Sequence, residues 1–138
     1  MNSKRVGNIG EARVLYELVN LGFPVYQQFG DNELADYIII NNDDLLKLQV
    51  KTSSSGNSER VMFDLESRLT SKRNKRTYYS INDVDYFLCY DLNNEKIFVV
   101  KNVGNMSGIT LRYRKPRNNQ SSRVNIAEDF LLTKDSFN

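Results

Sequence analysis

Three side chains between positions 36 and 51 have the types and spacing that phosphate chemistry requires. Asp36 supplies a carboxylate, Gln49 an amide oxygen and Lys51 an ammonium, and a further carboxylate, Glu11, lies upstream. Acidic and amide oxygens can hold a hard divalent cation, while a nearby ammonium can position a nucleophile or offset developing negative charge. That is equipment for hydrolysing a phosphodiester. The chain contains no histidine, which excludes imidazole bases, Ser/His/Asp triads and zinc sites of the Cys/His type. Any metal must therefore be held by oxygen. Mg²⁺ is the usual partner of phosphate chemistry, with Mn²⁺ as a substitute.

The elements that position these residues are legible around them. Leu46, Leu48 and Val50 alternate with Lys47, Gln49 and Lys51, the period-two pattern of a half-buried strand over residues 45–52. Residues 35–40 form a second apolar run. Between the two runs stand Asn41, Asn42, Asp43 and Asp44, types that tolerate positive φ and suit a tight hairpin. With Asn42 and Asp43 as a two-residue loop, position 41 faces 44 and Asp36 falls opposite Gln49. Lys51 projects from the same face as Gln49, so a carboxylate, an amide and an ammonium converge.

Upstream, residues 9–21 predict a helix with Ala12, Leu15, Leu18 and Val19 on one face and Gly22 as its C-terminal glycine. Residues 24–29 read as a short edge strand that begins at Pro24, followed by a turn over residues 30–33. Further strands are expected over residues 60–65, 86–90, 96–100 and 110–114, with a short closing helix over 126–132. This order of elements predicts an α/β or α+β fold with a mixed sheet flanked by helices.

The 138 residues suit one compact domain, with 40% hydrophobic and 26% charged residues, outside the range of disordered chains. No apolar run reaches the about 18 residues of a membrane span, and the N-terminus lacks the apolar stretch of a secretory signal. A cytoplasmic location is expected. The single cysteine, Cys89, lies in an apolar run and is expected to pack as a small hydrophobe. A net charge of +2 is uninformative, but its distribution is not. Acids dominate residues 31–44, whereas bases cluster in residues 68–76 and again in 112–123.

The gapped arrangement Ala35-Asp36 followed by Gln49-Val50-Lys51 resembles the PD-(D/E)xK nuclease superfamily, which includes restriction enzymes and Holliday junction resolvases. Glu11 in Gly10-Glu11-Ala12 matches the acidic residue that many such nucleases add from an N-terminal helix. Ala35 stands where the motif has proline, and Gln49 where it has an acid. Further blocks, Gly7 to Ala12, Phe29-Gly30-Asp31-Asn32, Gln49 to Thr52, Arg76-Thr77-Tyr78-Tyr79, Asp83 to Phe87 and Ile97 to Val100, resemble the members of that superfamily encoded as homing endonucleases in bacterial group I introns. The resemblance implies a restriction-endonuclease-like α/β fold and a homo-oligomer, dimer or tetramer. It also implies cleavage of both strands of a long, roughly palindromic DNA site, in a bacterial cell and at its nucleoid when DNA is bound. Glu11, Asp36 and Gln49 are then the metal ligands, and all four residues, with Lys51, the catalytic set.

The basic segments supply candidate DNA contacts. Lys72, Arg73, Lys75, Arg76 and Tyr78 are expected to meet phosphates or bases, with Asn74, Thr77 and Tyr79 interleaved. Arg112 and Arg114 are expected on one side of a strand, followed by Lys115, Arg117, Asn118 and Gln120, types that read guanine or adenine edges. Lys47 shares the catalytic face as a phosphate contact or a solvated charge, and Asp83 and Asp85 are expected in turn and strand-end roles. Two alternatives remain at the level of sequence: a structure-selective nuclease such as a junction resolvase, and a non-catalytic DNA-binding module.

Overall fold

A computed structural model describes residues 1–30, 33–67, 77–115 and 124–138. Helix α1 spans Ser3–Asn20, earlier than expected, because the Asn2 side chain caps it by accepting the Arg5 N–H at 2.8 Å. Its buried positions are Gly10, Val14 and Leu18, one per turn; of the expected face Leu18 is buried and Leu15 packs against the core, whereas Ala12 and Val19 are exposed. Val19 is 58% exposed. The reason is Gly10, whose backbone lies so close to the Thr52 side chain that a Cβ would overlap Thr52 Oγ1, so the helix is rolled to present that position. The C-terminus is as expected: Gly22 has φ +94°, and bonds from Gly22 N to Val19 O and from Phe23 N to Leu18 O close a Schellman motif.

Ten strands follow: β1 (Val25–Gln27), β2 (Tyr37–Asn41), β3 (Asp44–Ser53), β4 (Arg60–Asp64), β5 (Glu66–Ser67), β6 (Thr77–Tyr78), β7 (Tyr86–Asp91), β8 (Lys96–Lys101), β9 (Gly108–Arg112) and β10 (Asn125–Ile126). The main sheet is mixed, ordered β1-β2-β3-β7-β8, with only β3 and β7 parallel. A second sheet is ordered β10-β9-β4, and β5 pairs with β6 alone.

The main sheet is covered on both faces. Val14 and Leu18 of α1 join Tyr37, Ile39, Leu48, Val50, Leu88 and Tyr90 in one apolar cluster. Phe87, Cys89, Phe98 and Val100, from the opposite face of β7 and β8, join Val61, Phe63 and Leu111 of the second sheet in another. Burial on both faces explains why β7 reads as a continuous apolar run instead of an alternation. Cys89 is fully enclosed there, its thiol pushed well above the ordinary range by burial, in keeping with the inert role expected of it. Among the described residues the second face is thus covered by a sheet, not a helix. The expected closing helix is a 3-10 turn at Ala127–Phe130 entered from β10. No helix among the described residues is long and apolar enough to cross a membrane.

The β2–β3 hairpin has the expected register. Asn41 pairs with Asp44 and Tyr37 with Leu48, and Asn42 and Asp43 take φ of 49° and 71°, the left-handed pair of a type I′ turn. The strand does not reach back to Ala35, however. Its ladder stops at Tyr37, so Asp36 is not the cross-strand partner of Gln49. Asp36 N donates to Leu48 O at 2.8 Å, the carbonyl across from Tyr37, which turns the Asp36 side chain toward the end of the ladder. Strand β9 ends at Arg112, short of Arg114; Tyr113 keeps the register by donating its N–H to Glu59 O, and its hydroxyl donates to Asp91.

Candidate active site

Where β2 ends, β3 still has an inward N–H to satisfy. Val50 N finds no backbone partner on the β2 side and donates to Asp36 Oδ2 at 2.9 Å. The aspartate thus does the work of the missing ladder carbonyl, and its position follows from the strand ending there. Helix α1 brings the second carboxylate: the close seat of Gly10 on Thr52 lowers the next residue, Glu11, onto Asp36, with which it shares a side-chain hydrogen bond. Tyr37 fixes that approach, its hydroxyl donating to Glu11 O at 3.0 Å.

Two carboxyl groups this close cannot both ionise freely. Glu11 is pushed up to about 7, first by burial and then by the charge of Asp36 and the hydrogen bond to it. Asp36 is also raised, by burial, against the Val50 N–H, the Glu11 hydrogen bond and the Lys51 charge, which act to lower it. The ionisation of each carboxyl therefore depends on the state of the other. Burial and the neighbouring carboxylates keep the Tyr37 phenol neutral by raising it to about 12, and the same causes raise Tyr79 to about 12 against a hydrogen bond to Ser67.

Glu11, Asp36, Gln49 and Lys51 line a single cleft of about 360 Å³, together with Gln27, Gln28, Gly30, Glu33, Leu34, Tyr37 and Tyr79. The convergence expected from the sequence is present, although Asp36 reaches it from beyond the ladder. The Gln49 amide makes only a long 3.4 Å contact to Val50 O, so its orientation is weakly held. The Lys51 ammonium donates to Glu66 O at 2.7 Å and stands 4.9 Å from the centre of the Tyr79 ring.

The donor chemistry fits a hard divalent cation: two carboxylates and an amide oxygen face one cleft, and the carboxylates are short of N–H donors and resist joint ionisation. A cation would relieve that crowding. Among the described residues no three acidic, histidine or cysteine side chains gather, so a full ligand set must include neutral or phosphate oxygens.

Other expectations are sorted by the structure. Lys47 is tied down, its ammonium bonded to Asn82 O and its N–H to Asp85 Oδ2 at 2.7 Å. Asp83 accepts Ser80 N at 2.7 Å, so both aspartates fill the turn and strand-end roles anticipated for them. Tyr78 is exposed on β6, Arg112 half-buried at the end of β9, and Arg114 and Lys115 exposed beyond it. Lys72, Arg73, Lys75, Arg76, Arg117, Asn118 and Gln120 lie outside the described residues. Sequence reasoning missed Tyr37 and the Glu66 carbonyl, and saw Tyr79 only as a neighbour of the basic segment. A backbone carbonyl leaves no mark in a sequence.

Comparison with curated proteins returns no match. Among solved structures, the bacterial homing endonuclease I-Ssp6803I is similar, with 24% identity and a TM-score of 0.72 over 95% of this chain and 89% of that one. At that identity the likeness establishes the fold, the mixed α/β arrangement of restriction-type endonucleases. The family description PD-(D/E)XK endonuclease matches residues 1–133, a span that includes Glu11, Asp36, Gln49 and Lys51, and such nucleases generally use divalent metals. The chain belongs to the PD-(D/E)XK endonuclease family.

Proposed function

We propose that this protein is a sequence-specific, Mg²⁺-dependent DNA endonuclease of the homing type, cutting both strands of a long, roughly palindromic site. The observation that carries the reading is the Glu11–Asp36 pair, two carboxyls held against each other beside Gln49 and Lys51 in one cleft. Structural carboxylates are ordinarily supplied with several donors; here the Val50 N–H serves Asp36, and the two carboxyls face each other. Asp36 and Gln49, with Glu11, would hold the metal. Bound Mg²⁺ supplies positive charge to the phosphoryl oxygens and acidifies water.

The remaining work falls to the chain. Asp36, fixed by Val50 N–H, sets the position of the ligand group relative to β3. Glu11 would serve as a ligand in its ionised form, since a ligand carboxyl binds deprotonated. Lys51 orients the attacking water and offsets the charge that grows on the phosphoryl group. Tyr37 and Tyr79, neutral at pH 7, position their neighbours and move no protons.

One cleft cuts one strand, so cleavage of both requires at least a dimer, whose two-fold axis matches a palindromic target. A homo-oligomer, dimer or tetramer, acting on DNA in the bacterial cytoplasm is the corresponding assembly. The test is cleavage of a library of linear duplexes with and without Mg²⁺, with the ends sequenced and four-way junctions run in parallel. Defined ends from linear DNA, formed only with the metal, are the expected result. Cleavage confined to junctions identifies a resolvase, and binding without cleavage in either metal condition identifies a non-catalytic module.

A further inference from the structure

A lysine on a strand has a flexible four-carbon stem, so an ammonium that must act at one point needs something to hold it. The two-stranded ladder of β5 and β6 lies where it can do this. Glu66, in β5, presents its carbonyl to Lys51 Nζ at 2.7 Å. Tyr79, the residue after β6, presents its ring face to the same ammonium at 4.9 Å. The two strands are locked to each other by the pairs Glu66 with Tyr78 and Ser67 with Thr77, and by the Tyr79 hydroxyl bond to the buried Ser67 side chain.

Tyr79 is itself packed in place. It is 4% exposed and meets Phe87 edge to face, with centroids 5.1 Å apart and an interplanar angle of 78°. Phe87 is the β7 partner of Gln49 in the parallel ladder. The contacts therefore form a closed circuit, from Lys51 to Tyr79 to Phe87 and back to β3 at Gln49, two residues from where they began. We propose that the β5–β6 ladder is a clamp for the Lys51 ammonium, with Tyr79 as its positioning residue. The proposal rests on the assignment of Lys51 to the reaction. A ring face suits this task because it attracts an ammonium through its quadrupole while leaving the N–H groups to donate elsewhere. The same two strands bound residues 68–76, so the basic segment is joined at both ends to the residues that hold the lysine.

The ring and the hydroxyl of Tyr79 have separable roles, which makes the clamp testable. In protein labelled with ¹³C-lysine, the Lys51 methylene next to Nζ is expected upfield of the other lysines through the ring current of Tyr79. Lys51→Met identifies the signal. Tyr79→Leu is expected to return it to the common position, whereas Tyr79→Phe keeps it shifted. In single-turnover cleavage at saturating DNA, Tyr79→Leu is expected to slow the rate by roughly tenfold, the scale of a desolvated cation–π contact, while DNA affinity stays within a few fold. Tyr79→Phe should restore most of that rate. Placed on Lys51→Arg, Tyr79→Leu should cost less than it does with lysine, since it acts through that side chain. An unshifted lysine signal in the wild-type protein overturns the clamp, as does a wild-type rate for Tyr79→Leu or equal effects with lysine and arginine. Full cleavage by Lys51→Ala would instead remove the assignment on which the clamp stands.

Discussion

Two aspartates on either side of β3, one just before β2 and one ending β7, both withdrawn from solvent, have opposite surroundings. Asp91, the last residue of β7, is 0% exposed and supplied with donors on every side: Asn93 N and Asn94 N at Oδ1, Asn94 Nδ2 at 2.7 Å and Tyr113 Oη at 2.6 Å on Oδ2. Gly56 lies so near that a Cβ there would overlap both carboxylate oxygens. The Asn93 and Asn94 amides extend the network to the carbonyls of Ser54, Gly56 and Asn57, fastening the β3–β4 connection to the β7–β8 turn. Asp36 is less buried, yet its surroundings give it one backbone donor and another carboxyl. Burial alone does not mark a site. A saturated carboxylate holds a structure together, and one paired with its own kind has binding capacity left over for a cation.

The largest expected effect lies at the unsaturated site. Lys51→Ala should lower single-turnover cleavage by roughly a thousandfold or more while leaving DNA affinity within a few fold, because the ammonium acts on charge that develops in the transition state. Parallel losses of binding and cutting, with the fold intact, would contradict that role. The comparison of the aspartates themselves is broken or kept by a pair of variants. Asp91→Ala strands the Tyr113 hydroxyl and two asparagine donors and should cost about 3 kcal/mol in urea unfolding. Asp36→Asn should leave stability level or raise it, by separating two crowded carboxyls, while abolishing cleavage. Similar destabilisation by both would mean the two sites are alike.

A smaller loss is expected from Gly10→Ala, roughly 1–3 kcal/mol, because the new methyl meets Thr52 where helix and strand touch. Removing the hydroxyl with Thr52→Ala in the same chain should recover part of it. The smallest effect is a pH dependence. In metal-free protein Glu11 holds its proton up to about 7, against an ordinary value of 4.5, so the folded state binds the proton more tightly over that window. Stability is therefore greatest below the ordinary value and declines as pH rises through the window, levelling above about 7. Glu11→Gln should flatten the decline in thermal unfolding. Mg²⁺ should oppose it, raising the midpoint more at pH 8 than at pH 5, since proton and cation compete for one pair of carboxyls. A metal effect independent of pH would separate the carboxyls from the cation.

The hairpin was legible because its information is local. Asn42 and Asp43 accept positive φ, the alternation from Leu46 to Lys51 sets a face, and together they dictate the pairing of Tyr37 with Leu48. The helix was legible in existence but not in orientation. Its buried line runs through Gly10, a residue with no hydrophobicity to announce it, because the contact depends on how closely a strand some forty positions away approaches. The ladder's end was hidden for a similar reason: residues 35–40 read as a continuous apolar strand, but the first of its pairs formed is at Tyr37, which frees the Asp36 carboxylate to cap Val50.

The sequence by itself determined the chemical inventory: oxygen ligands and no imidazole, a lysine two residues beyond an amide on the same strand face, and a hairpin that brings an aspartate near both. Those follow from side-chain types and short-range geometry. The tertiary structure alone decided that Glu11 meets Asp36, that burial and each other's charge raise both carboxyls, and that Tyr79 and the Glu66 carbonyl hold Lys51. Each of these joins residues from different elements across a packed interface, where a backbone atom or a missing Cβ carries as much weight as any side chain.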